Sequence, residues 1–208
     1  MLSLRLRSDL RHCTINRHVI CLDLQESRYF LLEGYGAEAF CAAVSDDASG
    51  AQMNWLTSKG LTEPGKPGAV WDAALPPETS VYDESLPVVR MPLVAEAIVT
   101  QWRARRRLAR RSLSSLLLAS DLAATTSECY LDIAAAFIRA SRYRDTTDQC
   151  LARGLAIRAM LARRGLGCDL VLGVTLPFAA HCWIQTGTLL LSDPLDHVLN
   201  YRPLMTVR

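Results

Sequence analysis

Between positions 18 and 32 the chain runs through two β-rich blocks, HVICLDL and RYFLL, joined by the polar QES, a pattern that predicts a β-hairpin. After Gly34 and Gly36, Ala37 to Val44 is helix-prone. Ser49 to Lys59 then offers a serine N-cap, Met53 and Leu56 three apart, and Gly60 as a stop. Strands followed by short helices predict a winged-helix-like module over residues 1–75. From Thr62 to Pro92 the prolines at 64, 67, 76, 77, 87 and 92 disfavour both helix and central strand, so residues 76–92 are expected to form a linker.

The second half changes period. Val94, Ile98, Trp102, Ala109, Leu113 and Leu116 form one stripe, predicting a long helix from Val94 to about Ala124, with another over Ser127 to Ala140. Thr146 to Gln149 reads T-x-x-Q, a capping box that predicts a helix start, with Leu151, Leu155, Met160 and Leu161 on its apolar side until Gly165 and Gly167. Three short apolar runs, Asp169 to Val174, Cys182 to Gln185 and Thr188 to Leu191, read as strands. Helices followed by strands, without βαβ alternation, predict an α+β fold, with a second domain over residues 93–208.

Composition narrows the function. Half of the 208 residues are hydrophobic, as in a globular chain, and a net charge of +2 gives no reason to expect nucleic acid or a membrane surface as principal partner. The charge is uneven: Arg103, Arg105, Arg106, Arg107, Arg110 and Arg111 crowd one stretch. This fits a solvated helix face better than a docking surface for an acidic partner. Met1 to Arg11 alternates arginine with leucine and lacks the form of a secretory signal, and no run approaches the roughly 20 apolar residues of a membrane span. A cytoplasmic protein is expected. Its seven cysteines are scattered, with no C-x-x-C pair, which argues against a disulfide framework or a structural zinc site and makes most of them small buried hydrophobes.

Cys150 is the exception. In the first turn of a helix a thiol meets unpaired backbone N–H groups and the positive end of the helix dipole, both of which favour the thiolate. Asp148 opposes this with its own charge, so an imidazolium partner is needed; alone, such a cysteine is more often a packed core residue. His181 and Asp193 supply the partner. Gly187 lies midway between them, so a hairpin with an odd loop centred there sets His181 across from Asp193 on one face. Nucleophile at a helix start, base on a strand and carboxylate one strand on is the arrangement that activates cysteine for acyl transfer, the bland alternative being a satisfied structural histidine.

These residues resemble a known family. Asp148-Gln149-Cys150-Leu151-Ala152-Arg153, Leu161-Ala162-Arg163-Arg164-Gly165, Leu172-Gly173-Val174, Pro177-Phe178, Ala180-His181-Cys182-Trp183 and Asp193 fall in the order found in lasso-peptide maturation peptidases, over roughly residues 90–208. The N-terminal hairpin and helices resemble, more weakly, the PqqD-like leader-recognition element fused to that peptidase in some systems. The resemblance implies a transglutaminase-like, papain-related fold with Cys150, His181 and Asp193 as catalytic triad. It also implies an activity that removes the leader of a ribosomally made precursor, so that an asparagine-synthetase-like cyclase, itself using ATP, can close a macrolactam. The hydrolysis needs no cofactor or metal. Two further classes stay open: a non-catalytic scaffold that presents precursor to the cyclase, and acyl transfer to an amine as in transglutaminases.

Leader binding is expected by strand addition to the edge of Arg28, Tyr29, Phe30, Leu31 and Leu32, with side-chain pockets against Met53 and Leu56. Cys182 departs from the family pattern, where alanine is expected after the histidine; strand alternation predicts that it points away from Cys150 and fills core. Two other signals carry little. Gly60 to Lys66 reads G-x-x-x-x-G-K, but Pro67 stands where a nucleotide site needs Ser or Thr, and Cys150, Cys168, His181 and Cys182 fit no usual zinc spacing.

Overall fold

The computed structural model describes residues 4–65, 74–117, 122, 127–143 and 149–208. The chain divides into two compact units, Met1–Asp72 with Ser112–Ser114 and Ala73–Arg111 with Ser115–Arg208.

The first unit is a mixed α+β body. Strands β1 (Leu4–Leu6), β2 (Leu10–Ile15), β3 (His18–Asp23) and β4 (Arg28–Leu32) are followed by helices α1 (Gly34–Val44) and α2 (Gly50–Ser58), then by β5 (Thr62–Pro64). β2, β3 and β4 form an antiparallel meander, while β1 pairs with β5. The hairpin is closed by Asp23, whose carboxylate accepts the Gln25 and Glu26 backbone N–H groups at 3.0 Å each, a local alternative to strand pairing that turns the chain. Ser49 and Gln52 complete a reciprocal capping box on α2. Leu10, Val19, Cys21, Phe40, Leu56 and Leu61 form the core, each such burial stabilising by roughly 1.5–3 kcal/mol for a large apolar side chain. The β2 strand went unforeseen because Arg11 and His12 mask its apolar alternation.

The second unit opens with β6 (Thr79–Ser80), followed by α3 (Met91–Leu108), the last two residues of the one-turn α4 (Leu113–Leu116), α5 (Cys129–Ala140) and a 3-10 turn (Ser141–Tyr143). It continues through α6 (Cys150–Ala162), β7 (Asp169–Thr175), β8 (Ala179–Thr186), β9 (Leu189–Leu190), α7 (Leu195–Val198) and β10 (Arg202–Val207). Its sheet has the order β10-β7-β8-β9-β6, with β6 parallel to β9 and the other pairs antiparallel. Residues 76–92, expected as a linker, lie in this unit and give its sheet an edge strand. That short edge position is one a proline-rich segment can occupy, because the prolines themselves need not donate to a ladder.

α3 stops at Leu108, with Ala109 as its C-cap, short of the continuous helix expected to about Ala124. Arg110, Arg111 and Ser112 interrupt the apolar stripe there; residues 118–121, 123 and 124 of that expectation lie outside the described residues. The four arginines of α3 and the two that follow it, Arg110 and Arg111, are exposed, and the Arg106 guanidinium lies 3.8 Å from the Trp102 ring centre. α6 starts at Cys150, with Gln149 as its N-cap rather than as the third residue after a Thr146 cap, and stops at Ala162; beyond it the Leu166 N–H returns to the Leu161 carbonyl while Gly165 takes φ +73°. The Thr146 half of the predicted capping box and Asp148 lie outside the described residues. Among the described residues no helix is long and apolar enough to cross a membrane. All seven cysteines are free thiols, but Cys41 and Cys129 are exposed rather than core fillers.

Candidate active site

β8 presents two faces. His181 and Trp183 lie on one, where Trp183 packs with Val171, Leu190 and Val198; Cys182 and Ile184 lie on the other, against α6. Gly173, paired with His181, makes the first face possible, because a Cβ there would lie 2.5 Å from the Trp183 ring. Gly154 does the same for the second, where its Cβ would lie 3.0 Å from the Cys182 Sγ. Cys182 is therefore buried as a core filler, against α6 at Gly154, one turn beyond Cys150.

Cys150, at the first position of α6, and His181, near the start of β8, are hydrogen-bonded through their side chains. The His181 Nε2 lies 3.0 Å from the Asp193 Oδ1. Burial pushes the Cys150 thiol up, but it is outweighed by the His181 bond and charge and by the Cys182 and Leu151 backbone N–H groups, so the thiol lies below its ordinary value. Burial alone would lower His181; its bonds to Asp193 and Cys150 reverse that and raise it to about 9. Burial likewise raises Asp193, and the His181 and Ser192 hydrogen bonds, with the charges of His181 and Arg153, carry it below the usual carboxylate range. The three shifts run in one direction, toward a thiolate and an imidazolium beside a carboxylate.

The register behind this array differs from expectation. Gln185 pairs with Leu190 and Thr186 with Leu189, which leaves a two-residue loop, Gly187 and Thr188, with Gly187 at φ +58°. A register centred on Gly187 is thus overturned, and the position across from His181 would be Pro194. Asp193 reaches His181 because the chain leaves the ladder after Leu191, whose N–H still bonds the Ile184 carbonyl at 2.8 Å: the Ile184 N–H is taken by the Ser192 hydroxyl at 2.9 Å, and the Ser192 hydroxyl also bonds the Asp193 carboxylate.

Residues 88–206 match the sequence model of the transglutaminase-like superfamily. The chain belongs to that superfamily. No curated protein and no solved structure matches the chain in the corresponding searches. Membership brings acyl-transfer chemistry of the cysteine-peptidase or acyltransferase kind, and this superfamily domain contains Cys150, His181 and Asp193.

Several neighbours went unforeseen. The His197 ring meets the His181 ring edge-on at 4.7 Å, and Tyr201 tilts against it at 5.2 Å. His181, Asp193 and His197 offer ligand atoms within 4.8 Å of one another, which would suit a metal ion; His181 is already bonded to Asp193 and Cys150, so an ion would have to displace both a proton and those bonds. Ser80, Tyr82 and Arg153 surround Asp193 as well. Of these, only Arg153 carried a sequence signal, its position three residues after Cys150 on one helix face.

The expected leader-binding residues lie in the first unit. β4 has a strand neighbour on one side only among the described residues, and Arg28 and Leu31 on it are exposed. Leu56 cannot line a peptide pocket: it is fully buried, with Phe30, Leu32 and Met53 packed on the same core. The helical spacing that singled it out marks the inward face of α2.

Proposed function

We propose that the protein is a cysteine peptidase that removes the leader from a ribosomally made lasso-peptide precursor. The observation that carries the chemistry is the bonded sequence of Cys150 at the start of α6, His181 on β8 and Asp193. The Cys150 thiolate attacks the carbonyl of the leader–core amide. The resulting oxyanion is within the field of the helix start, where the Cys150 N–H is a candidate donor. His181 gives its proton to the departing core amine, leaving the leader as a thioester. It then takes a proton from water, which attacks the thioester and releases the leader carboxylate and the thiol. Asp193 holds the imidazole and its charge throughout.

The leader assignment rests on the motif order from Asp148 to Asp193. It is extended to the first unit, where a leader strand pairs with the β4 edge beside Arg28, Tyr29 and Leu31, and Phe30, Leu32, Met53 and Leu56 support that edge from the core. The activity belongs in the cytoplasm, beside an asparagine-synthetase-like cyclase that spends ATP on the freed core. An acyltransferase shares the same three residues, and its product differs: leader joined to an amine instead of a free leader carboxylate. Mass spectrometry of precursor incubated with the full chain and with Cys150→Ala tests the reading. Cleavage by the wild type alone is expected, and full cleavage by Cys150→Ala would end it.

A further inference from the structure

Asp193 sits on chain that has left the β-ladder, so backbone pairing does not fix it. What holds it comes from elsewhere in the sequence. The Ser80 hydroxyl donates to the Asp193 carbonyl at 2.7 Å and accepts the Tyr82 N–H at 3.1 Å. The Tyr82 hydroxyl donates to the Ser192 carbonyl at 3.3 Å and accepts from the Arg153 Nη2 at 2.9 Å. Each hydroxyl is used once as donor and once as acceptor, so the bonds polarise one another. The chain of contacts begins on α6 three residues from Cys150 and ends at the two peptide carbonyls of Ser192 and Asp193.

A plain loop anchor would need only the hydroxyls. Arg153 adds a charge, and its Nε is buried without a hydrogen-bond partner, which costs desolvation that a neutral anchor avoids. The offset available nearby is the Asp193 carboxylate, with which the guanidinium interacts favourably.

We propose that Ser80, Tyr82 and Arg153 are positioning residues: they tie the Asp193 loop to the helix of Cys150 and keep the carboxylate aimed at His181 while charge moves through the site. This rests on the proposed roles of Cys150 and His181. The charged and titratable groups that face Asp193 are His181 and Cys182 on β8, His197 on α7 and Arg153 on α6. Of these, only Arg153 is a guanidinium, and it lowers Asp193 through its charge. Without it, or with it untethered, Asp193 takes up a proton at higher pH.

The test is alkylation of the full chain by iodoacetamide as a function of pH, with Cys150 read separately by peptide mass spectrometry, for wild type, Tyr82→Phe, Arg153→Gln and Arg153→Lys. Tyr82→Phe and Arg153→Gln should each slow Cys150 alkylation at neutral pH by about tenfold, short of the hundredfold that a misplacement of an ångström can cost. Both should move the acid limb to higher pH. Arg153→Lys should bring the acid limb back toward wild type, because it restores the charge without the planar fork. If Tyr82→Phe and Arg153→Gln keep the wild-type profile, the inference is overturned, whatever their melting temperatures. A wild-type Cys150 with the profile of an ordinary thiol would instead overturn the proposed function, and this inference with it.

Discussion

Each unit holds a carboxylate against a hydrogen-bonded turn, buried in the case of Asp23 and part-buried in the case of Asp193, and the two are used differently. Asp23 is 2% exposed; its oxygens are filled by the Gln25 and Glu26 N–H groups and by Arg7, whose Nη1 lies 3.3 Å away. Asp193 also takes a neighbouring donor, the Ser192 hydroxyl, but its remaining bond goes to His181, which in turn bonds Cys150. The partners of Asp23 neither gain nor lose a proton near neutral pH. The partner of Asp193 does, and that partner touches a thiol. A buried carboxylate becomes chemically useful when one of its donors is titratable and itself leads to a reactive atom.

The contrast is sharpest under Asp→Asn replacement. Asp193→Asn should lower turnover by about 10³- to 10⁴-fold, the scale seen when a triad loses its carboxylate, because the amide no longer stabilises the imidazolium. Asp23→Asn keeps an oxygen for the Gln25 and Glu26 N–H groups and should leave the rate of Cys150 alkylation unmoved. Equal losses from the two variants in a peptide-cleavage assay would break the comparison.

Stability should rank them the other way. Asp23→Ala strands two backbone donors and Arg7 in the first unit and should cost about 2 kcal/mol or more in urea denaturation, from the desolvation of unpaired groups. A cost under about 0.5 kcal/mol, the level of an ordinary surface change, would show the turn to be held otherwise.

The pH dependence of stability separates them further. His181 is raised from 6.5 to about 9, so the stabilisation it brings is full below 6.5 and is lost as pH rises through about 9. Asp193 lies below its ordinary 3.8, so its contribution is present above 3.8 and lost as pH falls through its depressed value. The difference in melting temperature between wild type and Asp193→Asn should therefore be largest between 3.8 and 6.5 and fade toward 9. A difference that grows with pH would contradict the ion pair.

The smallest effect concerns Cys182, which is fully buried beside Gly154 and held well above the ordinary thiol range by burial. Cys182→Ala removes one buried atom and should cost on the order of 1 kcal/mol while leaving most of the rate. Loss of activity comparable to that in Cys150→Ala, measured by precursor cleavage, would mean that Cys182 does more than pack.

Local pattern was enough for much of this molecule. The hairpin over 18–32, the Ser49 cap and the strands on either side of His181 each follow from residues within a few positions of one another. Turn chemistry, capping and side-chain period act at that range. Cys150 and His181 were singled out at the same range, one by its place at a helix start and one by its place on a strand; Asp193 was paired with His181 through a register that the structure does not keep. The tertiary structure decided what those elements meet. It shifted the β8–β9 register by one and still brought Asp193 to His181 through a bend, turned Leu56 into the core, aimed Cys182 at α6, and drew Ser80 and Tyr82 from a proline-rich stretch to a loop more than a hundred residues away. No periodicity encodes such meetings, because a hydrogen bond between distant segments leaves no mark on the spacing within either one.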